Sequence, residues 1–322
     1  MRTGATASDP SRDDGVGVPT RDRVLGLLRL VFGAVLFGFV VVAAWRSWDA
    51  VQAAITLIDP YDLLFAEALI LLGLALSVLT WRQSVSEVGY RVPVAAAARI
   101  YLLGQLGKYL PGSLWALAAQ SELGRSAGVP RSRGLAASII AIAVNTATGL
   151  AIGVAIVPSL ADGSYGLTLG LVAIVLCLAF ALTPPVLTRL VNLGLRLVRR
   201  PSLPRNVTWR GVRIATAWSL SSAVSYGLSV WVLAVAVGAP AGEALPLCLA
   251  GVSLGMTIGL LVVVTPSGIG VREAIIVGAL APVLDRSDAL AVALVARLLF
   301  TIADLVAAAV VVPIRVRPPA AA

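Results

Sequence analysis

Histidine is absent from the 322 residues, and lysine occurs once, at Lys108, so the other 24 of the 25 basic residues are arginine (25 − 1). Without imidazole there is no Ser-His-Asp triad, no histidine metal ligand and no metalloprotease motif. Cysteine is nearly as scarce. Cys177 and Cys248 both fall inside apolar runs, where they read as small core hydrophobes rather than a disulfide or a metal pair. Charge is thin, 13% of residues against 59% hydrophobic, with a mean hydropathy of +0.95. That excludes an ordinary soluble domain and defines an all-α, polytopic integral membrane protein. A net charge of +9 would suggest nucleic acid as the partner of a soluble chain. Here the arginines cluster between apolar runs, so topology and anionic lipid account for them, and no nucleic-acid partner is expected. Nucleotide motifs are missing and the few intramembrane acids form no clear acid–base pair. No catalytic residue, metal or cofactor is therefore expected.

What is present is a succession of apolar runs, at about 25–45, 63–81, 135–157, 167–187, 214–237, 245–264 and 289–312. With the stretches between them they predict about eight transmembrane helices and one or two re-entrant hairpins. Residues 1–20 are polar and read as a disordered tail, 21–317 as the membrane domain and 318–322 as a short end segment. Arg21, Arg23 and Arg29, the arginine-rich stretch 189–213 and Arg315 mark one side as cytoplasmic. That puts both termini in the cytoplasm, with the chain in the inner membrane. The acidic or nearly uncharged loops, with Asp59, Asp62, Asp162 and Glu243, face outward.

One stretch breaks the rules for a span. Lys108 lies three residues before Pro111-Gly112, a pair that stops a helix because proline lacks its N–H and glycine costs backbone entropy. The flanking apolar runs, about 94–106 and 113–123, are each too short to cross ~30 Å of hydrocarbon. Two short helices meeting at a polar tip read as a hairpin that enters and leaves on the cytoplasmic side. Irregular backbone at membrane depth is tolerated only where protein or a wet cavity solvates it. Lys108 and a helix start capped by Ser113 would together attract an anion such as a lipid phosphate. The competing reading is a lysine that snorkels to headgroups and binds nothing in particular.

A second break falls at Thr265-Pro266-Ser267-Gly268-Ile269-Gly270, followed at once by Arg272-Glu273. The region 245–284 reads either as two full spans or as a second hairpin entering from outside, which would suit an inverted repeat with a midplane site. Arg272 and Glu273 read as an internal ion pair or as a substrate-facing arginine held by its neighbour. Arg297 and Asp304 sit on the last run about two helical turns apart and are expected to reach charges on neighbouring helices, Arg297 to Glu273. Asn145, Thr146, Ser219, Ser221, Ser222, Ser225 and Tyr226 read as interhelical hydrogen-bonding groups or as pathway lining. Most tryptophans, Trp81 among them, read as interface anchors; Trp115 is expected at the cavity, packing on an acyl or isoprenoid chain.

These residues carry a resemblance. Tyr101, Gly104, Gln105, Gly107, Lys108, Tyr109, Pro111, Gly112, Ser113 and Trp115, then Glu122, Gly124, Arg125 and Gly128, form one motif. Thr265 to Glu273, with Arg297 and Asp304 beyond, form the other. Together they resemble the flippase-like membrane region of lysylphosphatidylglycerol synthases, which also occurs in stand-alone proteins. The likeness covers about 25–312. It departs at Pro266-Ser267-Gly268, where Pro-Gly-Gly would be expected. The resemblance implies movement of a lipid, a phospholipid or an isoprenoid-phosphate-linked one, between leaflets. No aminoacyl-transferase segment follows, so the expected role is moving the lipid rather than making it. The implied headgroup is anionic or zwitterionic. Lys108, Arg272 and Glu273 would meet it, Gln105, Tyr109, Ser113 and Trp115 would line the cavity, and Pro111, Gly112, Pro266, Gly268 and Gly270 would shape the breaks. The alternative is a non-transporting partner of a lipid-modifying enzyme or glycosyltransferase.

Overall fold

Asp59 starts the first described helix, α1 (Pro60–Glu87): its carboxylate accepts from the Tyr61 N–H at 2.8 Å, Pro60 occupies the first turn, and Asp62 complements the helix dipole. The computed structural model describes residues 56 and 58–316 apart from 110–113, 157–164, 198, 204 and 262–269. The expected span at about 25–45 and both expected tails lie outside these residues.

Nine further α-helices follow among the described residues: α2 (Val94–Gln105), α3 (Leu114–Gly124), α4 (Arg131–Ile156), α5 (Tyr165–Ala181), α6 (Pro184–Leu197), α7 (Trp209–Ala236), α8 (Ala241–Leu261), α9 (Val271–Leu280) and α10 (Arg286–Val311). Five of the ten, α1, α4, α7, α8 and α10, are long and apolar enough to cross a membrane. The protein is thus an all-helical, multi-pass membrane protein.

The α1–α7 interface is the most extensive, and close approach makes it. Gly73 of α1 lies under Tyr226 of α7, where a Cβ would come within 2.3 Å of the ring. Ser77 and Ser222 then meet at 2.8 Å, and Ser222 donates to the Gly73 carbonyl. Small and hydroxylated residues at the crossing let helices pack without a hydrophobic drive from lipid. α8 closes against α4 and α7, and α10 lies along α1, α2, α7 and α9.

Two elements are too short to cross. α2 and α3 have 12 and 11 residues, about 18 and 16 Å at 1.5 Å per residue. They pack against each other, with Gly104 beside Gln120 and Gly107 beside the Trp115–Ala116 backbone, as the two arms of a hairpin do. α9, at 10 residues, spans about 15 Å. It runs back along α8, with Ala279 against Gly251 and Arg272 against Gly255. Neither reading of 245–284 holds whole, since α8 is a full span and α9 half of one.

The region expected as span 167–187 and a following arginine-rich loop is different. α5 ends at Ala181, and the chain turns by 75° into α6. Thr183-Pro184-Pro185 forces the turn, because a residue before proline avoids the helical region and each proline removes a backbone donor. α6 is amphipathic. Leu187, Val191 and Leu195 are buried at spacings of four, while Arg189, Leu190, Leu193, Arg196 and Leu197 are exposed. Residues after α6 fold back on it: the Leu203 N–H donates to Asn192 Oδ1 and the Val207 N–H to Thr188 Oγ1.

Candidate functional site

A cavity of about 260 Å³ lies among these helices. Lys108, Gln105 and Tyr101 reach it from the first hairpin arm and Gln120 from the second. α4 contributes Ser138, Asn145 and Thr146, α7 contributes Ser219, Ser222 and Tyr226, and α10 contributes Phe300 and Asp304. Arg272 reaches it from the start of α9. Among the described residues, the wall thus mixes hydroxyls, amides and apolar groups with three charged residues.

Lys108 Nζ stands 2.5 Å from Asp304 Oδ2, and the Tyr109 hydroxyl donates to the same oxygen at 2.6 Å. Lys108 is 30% exposed and Asp304 only 4%, so the carboxylate is buried while its cation stays open to the cavity. The 3₁₀ turn Leu106–Tyr109 that continues α2 presents both partners to one acid. Lys108 is therefore not a free headgroup cation, as its position before Pro-Gly suggested. An acid two turns beyond Arg297 claims it, a partner that local sequence could not reveal.

Arg272 is the other cation. Its guanidinium lies 3.9 Å above the Phe300 ring, and Phe300 packs on Tyr226 with centroids 5.2 Å apart. Its Nη2 is buried without a hydrogen-bond partner. The ring satisfies one face of the guanidinium and leaves Nη2 at its edge unmet among the described residues. The neighbouring Glu273 is not available to it. That carboxylate pairs with Arg297 and also accepts from the Gly270 N–H at 2.6 Å, capping α9 from its third position. Gly270, at φ 84°, takes a backbone conformation that a side chain would strain.

Of the other expected site residues, Gln105 lines the cavity and donates to the Tyr101 hydroxyl at 3.2 Å. Tyr109 is buried and acts on Asp304 instead of lining. Trp115 is half-exposed and outside the lining, because it sits on the face of α3 turned away from α4. Glu273 is likewise behind the wall. Pro111, Gly112, Ser113, Pro266 and Gly268 lie outside the described residues.

Sequence reasoning missed a polar chain. Trp81, fully buried rather than an interface anchor, donates to Ser138 Oγ at 3.0 Å, and Ser138 donates to Gln120 Oε1 at 2.6 Å. Gly104 makes room for it, since a Cβ there would meet Gln120 at 2.4 Å. Ser219 donates to Asn145 Oδ1 at 2.7 Å. The hydroxyls of α7 thus bond between helices and line the cavity at once.

At the outer edge of the hairpin, Glu122 accepts from Arg131 at 2.5 Å and from Arg125 at 3.1 Å. These hydrogen bonds, Arg131's first, hold its carboxyl below the usual carboxylate range against the opposing cost of burial.

Helices broken inside a membrane-spanning bundle, with charges gathered at the breaks around a cavity, define a class of multi-pass proteins with an internal polar site. The lysylphosphatidylglycerol synthase TM region model matches residues 26–308, and the chain belongs to that family. No curated protein matches it. Membership implies a role connected with membrane lipid.

Proposed function

We propose that the protein carries a lipid with a phosphate-bearing headgroup between leaflets, the headgroup passing through the cavity between the first hairpin and α9. The observation behind this is Arg272, a half-buried arginine facing the cavity whose Nη2 is buried and has no hydrogen-bond partner among the described residues. A buried unmet donor on a cation is costly, and a ligand oxygen would repay it with a charge-assisted hydrogen bond of about 1.5–3 kcal/mol. Lys108 adds a second cation that an incoming phosphate can draw from Asp304, while Tyr109 keeps the carboxylate bonded. The hydroxyl and amide wall suits a hydrated headgroup in transit, and the acyl chains would stay in lipid.

We read the role as transport and not catalysis. Asp304, the one acid among the described cavity residues, is held by a lysine and a tyrosine, which leaves no free base. The orientation that fits has the first hairpin entering from the cytoplasmic side of a cell membrane, with both termini there.

Leaflet exchange of fluorescent phosphatidylglycerol in proteoliposomes tests the proposal. Wild type should accelerate exchange, and Arg272→Gln should slow it about tenfold or more, the loss of one charge-assisted hydrogen bond. Lys108→Ala should slow it less. Exchange unchanged by both substitutions would refute this site. No exchange with either a phospholipid or an isoprenoid-phosphate probe, together with co-purification of a lipid synthase or glycosyltransferase, would replace transport with the partner role.

A further inference from the structure

A second cationic site lies away from the cavity, at the far end of α10. The segment that follows this helix, Val312 to Val316, forms an open groove with Arg99 of α2. Arg99 and Arg315 stand on elements brought together only by the packing of α2 on α10. Among the described residues, no acid lines the groove and neither arginine pairs with an acid. Arg99 Nε is buried without a hydrogen-bond partner, whereas Arg315 is exposed. The rest of the lining is apolar, and Val312 is 58% exposed, with Val310 one step back on α10 at 66%.

We infer that this groove binds the phosphate of an anionic phospholipid in the leaflet that this end of α10 reaches, as a site separate from the transport cavity. Two guanidiniums without an acid attract an anion, and the planar fork of each suits phosphate oxygens. Exposed valines beside them, at the end of a membrane span, match an acyl chain and offer nothing to a soluble anion. A lipid held there joins the first arm of the hairpin to the tail of the last span. The inference does not rest on the transport reading, since it uses none of the cavity residues.

The test uses the full chain in a neutral detergent with phosphatidylglycerol or phosphatidylcholine added, bound lipid being counted by native mass spectrometry. Phosphatidylglycerol should bind in preference, and Arg99→Gln with Arg315→Gln should weaken that binding about tenfold or more. Arg315→Gln alone, at an exposed position, should weaken it partly. Equal binding of the two lipids, or binding unaffected by the double substitution, would overturn the inference. So would inorganic phosphate displacing the lipid at equal concentration, which would reassign the groove to a soluble anion.

Discussion

The two broken segments each send a charge to α10, and they use it differently. At the start of α9, Glu273 meets Arg297 and the Gly270 N–H, so both charges and a helix end are satisfied together. At the end of α2, Lys108 meets Asp304 but keeps one side open to the cavity. The first pair stands off the cavity and ties α9 to α10; the second lines the cavity, where a competing anion can reach it. Arg272, one residue from the first pair, is left with an aromatic ring and an unmet donor. Proximity to an acid in sequence therefore says little about which cation is free. Burial of a charge is costly, so the partner geometry decides that.

Glu273→Ala should break the comparison hardest. It leaves Arg297 without its partner and α9 without its cap, at a cost of about 3–5 kcal/mol. Thermal unfolding in detergent should show a large loss of stability, and wild-type stability would place the Arg297 pair outside the fold's support. Gly107→Ala comes next, since a Cβ there would fall 2.7 Å from the Ala116 backbone nitrogen. The hairpin arms must part, an overpacking cost of about 1–3 kcal/mol, read as lower stability and a changed proteolysis pattern between α2 and α3.

Tyr109→Phe sharpens the open pair. Removing one hydrogen bond from a buried carboxylate should cost about 1 kcal/mol in unfolding while leaving Lys108 to hold the acid. A stability loss as large as that of Glu273→Ala would show the two pairs to be equivalent. The smallest effect is expected outside both, at Glu122. Its carboxyl is depressed in the folded protein, so its contribution is present above the unfolded value near ~4.3 and fades as pH falls through the lower folded one. Glu122→Gln should lower stability slightly at neutral pH, where the ion pairs contribute, and flatten the profile below about pH 4; equal acid sensitivity in both proteins would contradict this.

Much of the architecture was readable from hydropathy and breakers. The span-length runs and the short arms around Pro111-Gly112 follow from run length, whereas the Arg297–Glu273 pair is expected only because Arg297 and Asp304 stand too far apart to pair with each other. α6 was not, because run counting joined its first turn to α5 and treated its arginines as loop. Its spacing of Leu187, Val191 and Leu195 was the available signal. Trp81 was misread because tryptophan near a span end is usually an anchor, and nothing local announces Ser138 as its partner. Lys108 was read without Asp304 for the same reason: the two are 195 or so residues apart along the chain, as Tyr109 and Asp304 are.

The sequence by itself determined that this is a helical membrane protein, where its helices break, and that charges stand at the breaks. Composition and spacing are local quantities, and the hydrocarbon thickness turns them into spans. Tertiary structure alone decided which charge is satisfied and which is offered. Pairing, burial and a ring over a guanidinium depend on residues far apart in the chain meeting within a few ångströms.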